Sequence, residues 1–359
     1  MRPSFVLASA ALVLVSASAL ATACSGSSSS STPAVVDAGD EAGEATAACT
    51  AYATARCQKL DACTNGFYAK KNFTDESACI ARETVACQAA LVATDTSATP
   101  AFFDACAATV AARSCPDFFD DQNIPQACLA APGARANGKA CSFNAQCQST
   151  WCEVPQGAAC GTCADRPAAG ASCEVDSDCG QRGLFCAKSG VCAAPVAAGG
   201  ACDDARPCGF ATSCVGQTKT AAGTCQSVGT SAGASCDDKK VAGPGCQANA
   251  GLYCTIDGMC AAESLASPPA ACGRLVVDAG ADDGGDAGKK EPFSIAVCAA
   301  GAVCEPAAAT DGTCAAPAGD GQPCDRVNGP PCLAPARCVV ASDAQTAGTC
   351  VLPGAASCQ

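Results

Sequence analysis

Six times between Gly138 and Cys350 the chain closes a four-cysteine unit on Gly-Xaa-Cys, and no other feature limits its fold as strongly. The closing tripeptides are Gly161-Thr162-Cys163, Gly190-Val191-Cys192, Gly223-Thr224-Cys225, Gly258-Met259-Cys260, Gly312-Thr313-Cys314 and Gly348-Thr349-Cys350. Five units open on Gly-Xaa-Xaa-Cys, at Cys141, Cys173, Cys202, Cys236 and Cys324. The remaining unit, fifth in order, opens at Cys272 with Pro269 in the glycine's place. A repeat of this period means one small supersecondary unit used many times. Gly, Pro, Asp and Ser punctuate each unit every few residues, so the runs between them suit only turns and two-residue strand pairs. Aromatic residues make up 4% of the chain, with a single tryptophan, Trp151. Units this short bury too little apolar area to stabilise themselves; chains below about 40 residues usually need another constraint. The 35 cysteines among 359 residues supply it. Each bridge constrains the unfolded chain, typically by about 2–4 kcal/mol, and persists only in an oxidising compartment. The repeats therefore predict a rod of loop-rich modules outside the cytosol, each touching mainly its neighbours. Connectivity inside a unit is not fixed by sequence.

Residues 49–131 follow a different grammar. Glycine is rare, alanine dominates, and eight cysteines occur at Cys49, Cys57, Cys63, Cys79, Cys87, Cys106, Cys115 and Cys128. This composition favours helix. Cys49 and Cys57 are eight apart, as are Cys79 and Cys87, so each pair shares a helix face at about 12 Å. Bridged Cα atoms sit within about 7 Å, so neither pair bonds internally. The simplest arrangement is an antiparallel helical hairpin laced by Cys49–Cys87 and Cys57–Cys79. A third helix is expected from Thr99 as cap and Pro100 at its first position, carrying Phe102, Phe103, Cys106, Val110 and Cys115. Tyr52, Phe102 and Phe103 are expected in its core. The expected fold class is small and disulfide-rich: an N-terminal disulfide-tied helical domain, then tandem loop-rich four-cysteine repeats with short strand pairs over 138–358. Pro132-Gly133 and Asn137-Gly138 mark the junction.

Ahead of these domains, Arg2, an apolar run from Phe5 to Leu14 and a small-residue stretch read as a signal peptide over 1–23. Ala21-Thr22-Ala23-Cys24 resembles a bacterial lipobox, with alanine where that motif has leucine three residues before the cysteine. The resemblance implies cleavage before Cys24, acylation of its sulfur and anchorage in a lipid bilayer. Soluble secretion, using the same small residues as an ordinary cleavage site, is the alternative. Residues 24–48 read as a flexible Ser/Ala/Gly/acid tether of the kind an anchored domain needs. A second acidic Gly-rich stretch, 276–290, interrupts the fifth unit. Its Asp278, Asp282, Asp283 and Asp286 lack the alternation of a calcium loop and read as a solvated linker. Once the lipid cysteine, the helical eight and six fours are assigned, Cys160 and Cys358 remain. Unpaired thiols would be reactive outside the cytosol, so both are expected to be bridged. Pairing within one chain requires the rod to fold back and is preferred; pairing between chains would give a covalent oligomer.

The composition excludes several chemistries. Histidine is absent, removing the commonest general base and metal ligand. A net charge of −13 disfavours nucleic acid as a partner. Cys160-Gly161-Thr162-Cys163 has redox-motif spacing, but it sits among turns rather than at a helix start, so it reads as scaffold. Zinc would want paired Cys-x2-Cys knuckles, and only one is present. No catalytic residue, metal or cofactor is predicted.

Cys173, Cys179, Cys186 and Gly190-Val191-Cys192 resemble the Dickkopf N-terminal cysteine-rich domain, and Cys141, Cys147 and Cys152 resemble its opening. That family's adjacent Cys-Cys pair and its second domain are missing. The resemblance implies a secreted disulfide module that binds protein. The whole plan also resembles cysteine-rich lipoproteins of Gram-negative soil bacteria, which implies an outer-membrane or cell-surface location. The expected function is a non-enzymatic, surface-anchored interaction lipoprotein with an unknown protein partner, attached to the bilayer through Cys24. One alternative is an extracellular protease inhibitor presenting a loop such as Gln181-Arg182-Gly183-Leu184-Phe185. The other is an extracytoplasmic thiol oxidoreductase.

Overall fold

The alanine-rich, glycine-poor part of the chain folds as five helices: α1 Ala38–Thr64, α2 Phe67–Asn72, α3 Glu76–Leu91, α4 Pro100–Val110 and α5 Cys115–Phe119. The computed structural model describes residues 38–180, 183–276, 293–305, 312–342, 344–354 and 358. Each helix boundary has a local cause. Asp75 caps α3 by accepting from the Ala78 N–H at 2.8 Å, and Thr99 caps α4 by accepting from Phe102 at 3.2 Å. Helix α1 stops where Asn65 and Gly66 turn left-handed, at φ 52° and 74°. The bridges Cys49–Cys87 and Cys57–Cys79 lace α1 to α3, with Cα separations of 5.5 and 6.1 Å. Cys63–Cys115 ties α1 to α5, and Cys106–Cys128 ties α4 to the turn that follows. Between them pack Tyr52, Phe103, Leu60, Val110 and Phe118.

Two expectations about this region are corrected. The segment read as tether is helical from Ala38 onward. Glu44 lies in the N-terminal part of α1, where an acid suits the helix dipole, and Ala48 is buried against Phe103. Cys115 does not continue the third helix. It opens α5 with its own cap, Ser114, which accepts from the Asp117 N–H at 3.1 Å.

Beyond the helices every unit is the same small device. In the first, third and sixth units three antiparallel strands form, with the closing Gly-Xaa-Cys strand in the middle. Strand Gly161–Cys163, for example, lies between Ala140–Cys141 and Cys152–Glu153. The second and fourth replace one outer strand by a single bridge pair, Ser172 with Val191 and Ser235 with Met259. The fifth extends the same trio into a five-stranded sheet. In all six units the first cysteine bonds the third and the second bonds the fourth, as in Cys141–Cys152 and Cys147–Cys163. The two bridges interlock and make the core. In unit one all four half-cystines are buried, with Val154 packed against them.

The opening glycine does a definite job. Gly138, Gly170, Gly199, Gly233 and Gly321 all have φ between 77° and 87°, a conformation that L side chains resist. There each donates its N–H to the carbonyl of the unit's fourth cysteine at 2.7–2.8 Å, closing the loop. Pro269 has no N–H to offer, and unit five keeps only the companion bond, Cys314 N–H to Ala270 at 2.9 Å.

The units do not form a rod. Gly39–Gln359 is one compact unit, and every repeat touches the helices. Gln146 Nε2 of unit one donates to the Thr94 carbonyl; unit two meets Gln122, unit three stacks Phe210 on Phe119, and unit four places Gln247 on the Cys63 carbonyl. Ala300 and Gly301 of unit five donate to the carbonyls of Lys70 and Lys71, and Leu333 of unit six packs with Phe73. The repeats form a collar around a helical hub. The physical reason is their lack of apolar side chains: a free module would leave its loop backbone in water and gain nothing, whereas the hub offers carbonyls and aromatic faces.

The strongest polar fixing of hub to collar is Arg82 on α3. Its guanidinium grips Asp320 through two 2.7 Å bonds and also donates to the Leu333 and Ala334 carbonyls. Arg82 holds the Asp320 carboxyl below the usual carboxylate range. The unfolded chain therefore binds the Asp320 proton more tightly than the folded one, and this contribution is present above pH 4 or so and lost as pH falls through the folded value. Asp320→Asn is expected to destabilise at neutral pH by less than about 1 kcal/mol, since the pair is partly exposed. It should also flatten the acid limb of a urea-denaturation series between pH 5 and 2; an unchanged limb would remove Asp320 from the acid response.

Candidate functional site at the ring closure

The collar closes where unit six returns to unit one. Cys160 and Cys358, separated by 198 residues, are bonded there with a Cα separation of 5.6 Å. Several contacts position the chain end for that bond. Arg135 donates to the Cys358 carbonyl at 2.7 Å and pairs with Asp95 at 3.1 Å, while Ser142 Oγ lies 3.0 Å from the Cys358 sulfur. Alongside, Arg326 Nη1 donates to the Gln156 carbonyl and the Val340 N–H donates to Gly157, each at 3.0 Å.

These contacts leave a groove of about 610 Å³ between the first, second and sixth units. Its walls carry Phe143, Trp151 and Pro155 on one side and Arg326, Pro331 and Arg337 on the other. Trp151 is buried with its ring under Arg166, 5.0 Å from the guanidinium carbon. Arg337, an exposed residue, lies at the end of an outer strand, Arg337–Val340, and partial desolvation of its guanidinium pushes its pKa below the ordinary value. It remains a cation. Two further hollows are smaller. One, about 400 Å³, lies by Phe119, Phe185 and Phe210, where burial raises the pKa of Asp120 although its carboxylate accepts the Phe210 N–H. The other, about 460 Å³, lies between Asp238, Ile256 and Phe293.

Comparison with known families, curated proteins and solved structures finds no match.

Seventeen bridges engage 34 of the 35 cysteines, which requires an oxidising environment. The remaining cysteine, Cys24, lies outside the described residues, as do the signal-peptide stretch and nearly all of the acidic insert 276–290. Cys160 and Cys163 are bonded to Cys358 and Cys147, so the Cys-Xaa-Xaa-Cys stretch is not itself a bridge. Close sulfur triads such as Cys141, Cys147 and Cys152, within 4.8 Å of one another, are neighbouring cystines and offer no thiolate to a metal. Of the inhibitor-like loop, Gln181 and Arg182 lie outside the described residues. Gly183 is buried and its carbonyl accepts from Gln122 of the hub, and Phe185 lines the Phe119 hollow. Among the described residues no helix is long and apolar enough to cross a membrane.

The groove leaves little trace in the sequence. Trp151, the one tryptophan, is the signal in the sequence; Arg326 follows one strand and Arg337 begins another, and they share a lining with Trp151 only because the ring closes.

Proposed function

We propose that this chain is a non-enzymatic, lipid-anchored surface protein whose closed disulfide collar binds another protein. The observation that carries this reading is the completeness of the cross-linking. Every described cysteine is in a bridge, and the one left over, Cys24, directly follows the small-residue run that resembles a lipobox. A chain with no histidine and no described thiol has little to catalyse with, whereas a pre-organised scaffold loses little entropy on binding. The Dickkopf-like cysteine spacing supports the same class, a disulfide module that works by protein contact. The location follows as the outer membrane or cell surface of a Gram-negative bacterium.

The anchor is tested by Cys24→Ser. The variant is expected to leave the membrane fraction for the periplasm or medium while keeping all seventeen bridges by peptide mapping. Unchanged fractionation would overturn lipidation. Binding is tested by cross-linking on intact cells, where a discrete adduct of the anchored protein is expected and should vanish after reduction of its bridges. An adduct that survives reduction unchanged would separate binding from the scaffold.

A further inference from the structure

We infer that the hollow between the hub and the second, third and fourth units binds a small protonated amine, its ammonium on Asp120 and its apolar body against Phe119, Phe185 and Phe210. This goes beyond the reading of the chain as an interaction module and does not depend on it.

The carboxylate is the first ground. Asp120 follows α5 directly and is only 9% exposed. Both of its oxygens accept from a single donor, the Phe210 N–H, at 2.9 and 2.8 Å. An ionised carboxylate has room for about four hydrogen bonds, so most of its capacity is unused. No cation answers it either: none of the ion pairs among the described residues includes Asp120. Burial, together with the charges of two neighbouring acids, Asp117 and Asp121, raises its pKa. A buried charge without a counter-ion is costly to keep, and a ligand ammonium would offset that cost.

Lys240 is the one base in the lining, and it does not cancel the acid. Its side chain is exposed, and it is not among the charges that shift the Asp120 carboxyl. The hollow is therefore negative where it is buried and basic only where it meets water.

The walls are the second ground. Phe119 and Phe210 stack with ring centroids 4.3 Å apart, and Phe185 stands in the same lining; all three are half-buried. Phenyl faces attract an ammonium group and also pack apolar carbon. A neutral or anionic molecule of the same shape would keep the packing and lose the ion pair. Gly209 leaves the carboxylate its place, since a Cβ there would come within 2.5 Å of Asp120 Oδ2. The volume, about 400 Å³, suits one small molecule.

The full-length protein is titrated with benzylammonium chloride, and binding is followed by calorimetry and by saturation-transfer NMR of the ligand. Saturable binding is expected. Benzyl alcohol should bind about tenfold more weakly or worse, the scale of one charge-assisted hydrogen bond, and benzoate should not bind. Asp120→Asn keeps an acceptor for the Phe210 N–H, so its bridges should stay intact by peptide mapping while benzylammonium affinity falls to that of benzyl alcohol. Phe185→Ala, in another unit, should weaken benzylammonium about threefold through the lost ring, and it carries the test if Asp120→Asn does not fold. Lys240→Gln should leave affinity unchanged or raise it. No saturable binding, equal affinity for benzyl alcohol, or an unchanged affinity in folded Asp120→Asn or in Phe185→Ala would each overturn the assignment. Weaker binding in Lys240→Gln would put the ligand at the rim and overturn it as well. Surface cross-linking that succeeds while this titration fails would retain the interaction module and discard the amine site.

Discussion

Full reduction is expected to unfold the six repeats completely while the helical hub keeps part of its helix. The repeats have little apolar core beyond their cystines, and their contacts with the hub depend on the loops that those cystines shape. In unit one the buried set is Cys141, Cys147, Cys152 and Cys163, and in unit six Cys324 and Cys350 with only Ala318 and Ala336 beside them. Each bridge is typically worth about 2–4 kcal/mol, and whole domains are stable by about 5–15 kcal/mol, so losing two bridges per unit exceeds any reserve. The hub has Leu60, Phe103, Val110 and Phe118 in addition to its four bridges, and its alanine-rich helices have local propensity. Limited proteolysis with mass mapping, after reduction and alkylation, should show cleavage throughout 138–354 and residual far-UV helicity. Protease resistance retained across the repeats would refute cystine as their core.

Replacing Cys160 and Cys358 together by serine is expected to open the ring without unravelling any unit. For a closed span of 198 residues the chain-entropy relation gives about 5 kcal/mol. Bridges inside the span shorten it, and each halving removes about 0.6 kcal/mol, so a loss of about 3–4 kcal/mol is expected. The urea midpoint should fall, with the slope preserved if the remaining sixteen bridges still define one cooperative unit. Hydrogen exchange should rise first at Val340, whose N–H bond to the Gly157 carbonyl crosses the closure. The unaltered protein should run as a monomer on a non-reducing gel. An unchanged midpoint would mean that the hub alone holds the collar shut.

Several features belong to the sequence because short-range physics decides them. The Gly-Xaa-Cys and Gly-Xaa-Xaa-Cys spacings mark one unit used six times, because a glycine is needed at φ near +80° for its N–H to reach the fourth cysteine's carbonyl. Eight-residue cysteine spacing sets which sulfurs share a helix face, and the bonds Cys49–Cys87 and Cys57–Cys79 join those faces. The disulfide-rich class itself follows from cysteine count and the scarcity of large apolar side chains. Other features needed the tertiary structure. Spacing cannot choose among three pairings of four cysteines, and the interlocked first-to-third, second-to-fourth pattern emerges only when the closing strand lies between the other two. The collar was invisible for a different reason. Its fixings, Arg82 to Asp320, Asp120 to Phe210 and Gln247 to Cys63, join residues 90 to 238 positions apart through single polar contacts that leave no periodic trace. The closure groove is hidden for the same reason: its walls come from the first, second and sixth units, which are distant in sequence and meet only where the ring closes.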